Sequence, residues 1–310
     1  MDNNITSTSK IDEEISLLDL LLILWKHKLL IIILSSIFAI GSVFYALSIP
    51  NVYRAEALLA PNLSSSNNIA SSMGGLSNLA SFAGISIPRT PADKKQEAIA
   101  VLNSYQFLES FILENNLLIT IMATKSWDKD QNILELDPNI YDVKNSKWIT
   151  DESGKANNSI QLAVMNFREK FGVAEINKTG FVKIYIDSYS PYIAKKWVDW
   201  LVADINEHMR SQEVLKAEKS LKFLNEQANR TNVAEIKNVI SELIKSDIQT
   251  LTLSSSSDEY IFKTIDKAIV PEFKFAPKRA YICIAISLFG GFLSLIIAFV
   301  LEYFRPKLLK

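Results

Sequence analysis

The chain has 310 residues, a formal net charge of −1 and one cysteine. A balance so close to zero gives no electrostatic basis for nucleic-acid binding, which needs a basic face. The single cysteine, Cys283, excludes an internal disulfide and falls inside an apolar run rather than in the large polar part of the chain.

Residues 1–10 are polar and read as disordered. IDEEISLLDLLLILWKHK follows, with Ser16 and Asp19 spaced as a capping box ahead of an apolar run. This is either a short juxtamembrane helix or the start of the next element. Leu29 to Ile49 is an uncharged run of 21 residues, and Tyr281 to Leu301 is a second of equal length. Each, as a helix, spans roughly 31 Å, close to the ~30 Å hydrocarbon core of a bilayer. Two transmembrane helices are expected. The first run is too long, begins too late and has no small-residue exit for a cleaved signal peptide. Lys26 and Lys28 precede it while Arg54 is the only near basic residue after it, which favours a cytoplasmic N-terminus and, with two spans, a cytoplasmic C-terminus.

Between the spans lie 231 residues, enough for a full core and an extension. VYRAEALLAP, Val52 to Pro61, has strand character. Ser64 to Pro91 is rich in Ser, Asn and Gly and reads as a loop; Met73, Leu76, Leu79 and Phe82 leave a short helix as the alternative. Lys94 to Leu118 has helical periodicity for one or two helices. Asp128 to Gly154 is polar and is expected to be irregular. Ser159 to Phe171 is expected to be helical, and Phe181 to Ser190 alternates as a half-buried strand.

Ser190 and Pro191 then supply an N-cap and a first helical residue. From Tyr192 to Val270 there is neither glycine nor proline, which predicts long helices. Trp197, Val198, Leu201, Val202 and Ile205 form a broad stripe suited to packing on a sheet. Val214, Ala217, Leu221, Leu224 and Ala228 form a narrow coiled-coil seam, the candidate arm and oligomer contact. NRTN, Asn229 to Asn232, reads as a turn, with Asn232 and Glu235 restarting a helix. A helical hairpin over about 191–253 follows, with one unbroken helix as the alternative. EYIFKTIDKAIVPE is expected to be a strand leading back to the membrane, where it would pair with the first strand.

Catalytic constellations are sparse. His27 and His208 lie on opposite sides of the membrane in this topology, which excludes a multi-His metal site and a Cys/His pair. No P-loop or G-x-S-x-G motif is present, and no carboxylate pair is singled out by spacing. No cofactor is expected. Neither span contains a charge of the kind a proton or ion pathway needs. Both carry a stripe of small residues at matching spacing: Ser35, Ala39, Ser42 and Ala46 in the first, and Ser287, Gly291, Ser294 and Ala298 in the second. Such stripes let helices approach closely, whether on each other, on neighbouring subunits or on another membrane protein.

The layout, together with ISLLDLLLILWKHK, VYRAEALLAP, SYSPYIAKKWVDWLVADIN and DEYIFKTIDKAIVPEFKFAPKRA, resembles the polysaccharide chain-length determinant (Wzz-type) family, the polysaccharide co-polymerases. The resemblance implies an α+β membrane protein of the bacterial inner membrane. Its expected parts are a cytoplasmic tail with a juxtamembrane helix (1–28), a first span (29–49), a periplasmic domain with an α/β base and a protruding helical hairpin (50–280), a second span (281–301) and a cytoplasmic tail (302–310). It also implies a non-enzymatic regulator of O-antigen or related polysaccharide length. The implied partners are further copies of the chain, the membrane polysaccharide polymerase, the bilayer and, as a candidate, a lipid-linked glycan. Family members approach the second span through a proline-rich segment, which here is reduced to Pro271 and Pro277. One branch adds a P-loop kinase domain, and no such motif is present. The rivals are a capsule or exopolysaccharide export adaptor of the same superfamily, an anchored periplasmic hydrolase, and a two-span receptor, for which the tails offer no output domain.

Overall fold

A computed structural model of the chain describes residues 24–62, 91–150, 156 and 158–304. The expected capping box at Ser16 lies outside those residues, as does the expected Ser64–Pro91 loop except for Pro91, which opens a helix. The described residues fall into two compact units, one within Met1–Pro50 and Ala276–Lys310, the other Asn51–Phe275.

The first unit holds two helices, α1 (Lys28–Ser48) and, at the far end of the sequence, α8 (Arg279–Phe304), both long and apolar enough to cross a membrane.

The second unit is α/β. Its elements in order are β1 (Tyr53–Pro61), α2 (Pro91–Leu102), α3 (Tyr105–Glu114), α4 (Leu118–Ala123), β2 (Thr124–Asp128), β3 (Ile133–Leu136), β4 (Tyr141–Asp142), β5 (Lys147–Trp148), α5 (Ile160–Lys170), β6 (Phe171–Ile176), β7 (Phe181–Ser188), α6 (Pro191–Arg230), α7 (Ala234–Ser256) and β8 (Phe262–Asp266). The main sheet runs β6-β7-β1-β8, every neighbour antiparallel.

Period-two alternation gives this sheet one dry face and one wet face. Ala55, Ala57 and Leu59 of β1 and Val182, Ile184 and Ile186 of β7 are buried, under Trp197, Val198, Leu201 and Ile205 of α6. The intervening residues pair by charge. Arg54 Nε and Nη2 grip both carboxylate oxygens of Asp187 at 2.6 and 2.7 Å, and Lys183 Nζ meets Glu56 Oε1 at 2.8 Å. The Arg54 guanidinium also lies between the rings of Tyr185 and Phe275, at 4.0 and 3.6 Å. Gly172 on β6 makes room for Tyr185, whose ring would stand 2.2 Å from any Cβ added there.

Helix starts follow side-chain chemistry at two places. Ser104 accepts from Phe107 N and Ser159 from Leu162 N, capping α3 and α5. At α6 Ser190 occupies the cap position with Pro191 next, but its buried side chain makes no capping bond.

Two stretches differ from the sequence reading. The described part of Asp128–Gly154 is not irregular: β2 pairs with β3 and β4 with β5. Aspartates tie these turns, with Asp128 Oδ1 accepting from Asp130 N and Asp142 Oδ1 from Lys144 N. In addition, α7 does not start on an Asn232 cap. Val233 is the cap residue, its N–H directed at Thr231 Oγ1 at 3.4 Å, and Glu235 sits in the first turn.

The link from helix to sheet is Asn206. This buried side chain accepts from both Ile261 N and Phe262 N at 2.9 Å and donates to Val202 O at 2.9 Å. Replacing it with leucine leaves two buried amides without an acceptor. Asn206→Leu is expected to destabilise the unit by about 2–5 kcal/mol in denaturant unfolding, with the Ile261 and Phe262 amides losing hydrogen-exchange protection.

Candidate functional site

With this architecture the candidate sites are interaction surfaces, one in each unit. Among the described residues no group of three or more His, Cys, Asp or Glu could hold a metal ion.

In the first unit the two small-residue stripes meet each other. Ser42, Ala46, Ser294 and Ala298 are buried between α1 and α8. Ser35 Oγ lies 3.3 Å from Ser294 Oγ, and Gly291 faces Ser35. The hydroxyls of Ser42 and Ser294 also donate to their own helices, at Ala39 O and Gly291 O. Ala39 is half-buried, and Ser287 lines a shallow groove beside Cys283. The closest approach is at Gly290, where an added Cβ would stand 2.3 Å from Phe38 Cβ. Without a hydrophobic drive inside lipid, contact of this closeness is what holds such helices together.

The helix ends are tied by polar contacts that the sequence reading did not single out. Lys26 and His27 both bond Glu302, and Arg279 Nη2 donates to Ile49 O at 3.1 Å.

In the second unit α6 and α7 form a hairpin closed by Thr231–Val233, rather than one unbroken helix. At 40 residues α6 is about 60 Å long. The predicted seam lies inside the hairpin. Ala217 and Leu224 are 4% exposed, Val214, Leu221 and Ala228 are half-buried, and Ile240 of α7 is buried. Ala217 and Leu224 are therefore closed off within the hairpin, while Val214, Leu221 and Ala228 keep part of their surface. Leu215, Phe223, Ile236 and Ile248 remain exposed on the outside of the arms. Their signal was present in the sequence as apolar residues off the seam.

Pro271 and Pro277 stand in the non-helical stretch after β8, where Phe275 N donates to Val52 O at 2.8 Å.

One position of α7 that faces α6 is electrostatically costly. Asp247 accepts from Ser220, but its Oδ2 is buried without a partner, and burial pushes its carboxyl above the ordinary range. Burial acts in the same direction on Asp204, reinforced by Glu114 and opposed by a hydrogen bond from Asn115.

Residues 13–115 match the family model described as Wzz, chain length determinant protein. No curated protein matches the chain. Among solved structures, a full-length bacterial polysaccharide co-polymerase is 13% identical with a TM-score of 0.42, the alignment covering 94% of this chain and 99% of that one. A fragment of WzzB, a polysaccharide co-polymerase from Salmonella Typhimurium, is 11% identical with a TM-score of 0.30, covering 73% and 100%.

Two outcomes are expected from the site geometry. Cysteines at Ser35 and Ser294, in a Cys283→Ala background, should cross-link on oxidation and hold the two spans together after proteolysis between them. Adding Gly290→Leu should abolish that link, because its side chain needs the space Phe38 fills. For Asp247, the folded chain binds the proton more tightly than the unfolded chain does. Its contribution to stability therefore strengthens as pH falls from neutral towards the ordinary carboxylate range, and is lost as pH rises. Asp247→Asn should raise stability near neutral pH and flatten this pH dependence in thermal unfolding.

Proposed function

From the match of residues 13–115 to the chain length determinant (Wzz) family model, we propose that the chain is a non-enzymatic regulator of surface-polysaccharide length. It acts on O-antigen or a related polymer beside the inner-membrane polymerase. The family match is the observation that carries this reading. The charge-free spans and the lysines ahead of the first support an inner-membrane protein with both termini in the cytoplasm and the Asn51–Phe275 unit in the periplasm.

The mechanism is scaffolding. Several copies associate through the outer faces of their arms, where Leu215, Phe223, Ile236 and Ile248 are exposed. The seam residues Val214, Ala217, Leu221, Leu224 and Ala228 stiffen each arm from within, so they act on assembly through the hairpin. The assembled arms surround the growing polymer and bias when the polymerase releases it. No bond is made or broken by this chain.

The test is the length ladder of surface polysaccharide on a gel. Deleting the gene should abolish the preferred length while polymer persists. Complete loss of surface polymer would instead support an export adaptor, and an unchanged ladder would refute both readings. Complementation with Phe223→Asp should leave the helical content of the purified protein unchanged, yet fail to restore the preferred length. Leu224→Asp should fail as well, with measurable loss of helix.

A further inference from the structure

A cavity of about 70 Å³ lies in the Asn51–Phe275 unit, walled by the ends of α4, α5 and β7. Lys170, Asp187, Ser188, Tyr189 and Thr124 line it, with Trp197 on its apolar side.

The charges on this wall do not balance. Both carboxylate oxygens of Asp187 are held by Arg54, at 2.6 and 2.7 Å, so that acid is already matched. Lys170 lies at the last position of α5 and is largely enclosed. Its Nζ reaches Ile121 O at 3.4 Å and stands 5.8 Å from the centre of the Tyr189 ring. Among the described residues no carboxylate lies within ion-pair distance of it. A long contact to one carbonyl and a distant ring leave most of its donor capacity unused, and an enclosed, unpaired ammonium is costly. Burial accordingly pushes the Lys170 ammonium below its ordinary range. The Ser188 hydroxyl accepts from Ser190 N at 3.4 Å, which leaves its proton available as a donor. Thr124 Oγ1 donates to Thr120 O and contributes no donor.

We propose that this cavity binds one small oxyanion, a phosphate or phosphate monoester, with Lys170 Nζ and the Ser188 hydroxyl as its donors. The space is enough for one tetrahedral group. The anion supplies the close charge partner that Lys170 lacks among the described residues, with Trp197 on the apolar side of the site. Free phosphate and a lipid-borne phosphate present the same group, so the test separates them. The site does not depend on the chain-length reading, and its test involves no polysaccharide phenotype.

The experiment is calorimetric titration of the intact protein in detergent, near neutral pH and at constant ionic strength. One arm uses inorganic phosphate and the other uses dihexanoyl phosphatidic acid. Saturable one-to-one binding of either probe is expected, and the tighter probe identifies the source. Lys170→Met should weaken binding by about tenfold or more, the loss expected for one charge-assisted hydrogen bond, and Lys170→Arg should largely retain it. Ser188→Ala should weaken it less. Binding of neither probe, or equal binding by wild type and Lys170→Met, overturns the proposal. If Lys170→Met does not fold, Ser188→Ala decides, and unchanged binding by that variant overturns it.

Discussion

The antiparallel pairing of β1 with β8 is the contact on which the rest of the large unit depends. Ala60 faces Lys263 and Pro61 faces Phe262, partners separated by nearly the whole unit in sequence. The register shifts once, between Leu58 and Leu59, and the ladder is extended by Phe275 N bonding Val52 O. Closing so long a loop costs entropy that grows slowly with its length, and many side chains share in offsetting it. Leu59 and Phe262 are fully buried, Asn206 supplies the acceptor for the amides leading into β8, and Arg54 is held between Tyr185 and Phe275. A strand that leaves the first apolar helix and a strand that leads to the second are thereby held in one sheet.

The same economy of contact governs the arms and the spans. A stripe of Val214, Ala217, Leu221, Leu224 and Ala228 is too narrow for a globular core, but it suits one partner helix, and α7 is that partner. Between α1 and α8 the drive comes from packing of small residues, because lipid offers no hydrophobic gain. Each pair of helices thus uses its narrow face on itself. What remains outward on the arms is a set of separated apolar residues, the surface through which the proposed assembly would form.

Much of this was legible in the sequence, for reasons that differ by element. The spans announce themselves because hydrocarbon tolerates no charge, and β7 because one wet and one dry face impose a period of two. Ser190–Pro191 and the long interval without glycine or proline marked the start and reach of α6. The β2–β5 hairpins were missed because their strands are two to five residues long and mostly polar. Their signal lay in the turns instead, in Asp128 and Asp142 and in the positive φ of Asn132 and Ser146. The start of α7 was misjudged because Asn232 obeys the local capping rule while the backbone turns one residue later. Lys170 could not be recognised at all. Its importance comes from what surrounds it in space, with Ile121 arriving from α4 and Asp187 and Tyr189 from the end of β7.

Spans paired through small residues, a base closed by its first and last strands, and stiff arms with apolar outer faces make physical sense together if copies act in concert. The decisive quantity is the mass of the particle in native lipid discs, measured by mass photometry. The account predicts a defined multiple of the 34.9 kDa chain. A particle holding a single chain across the accessible concentration range would contradict it.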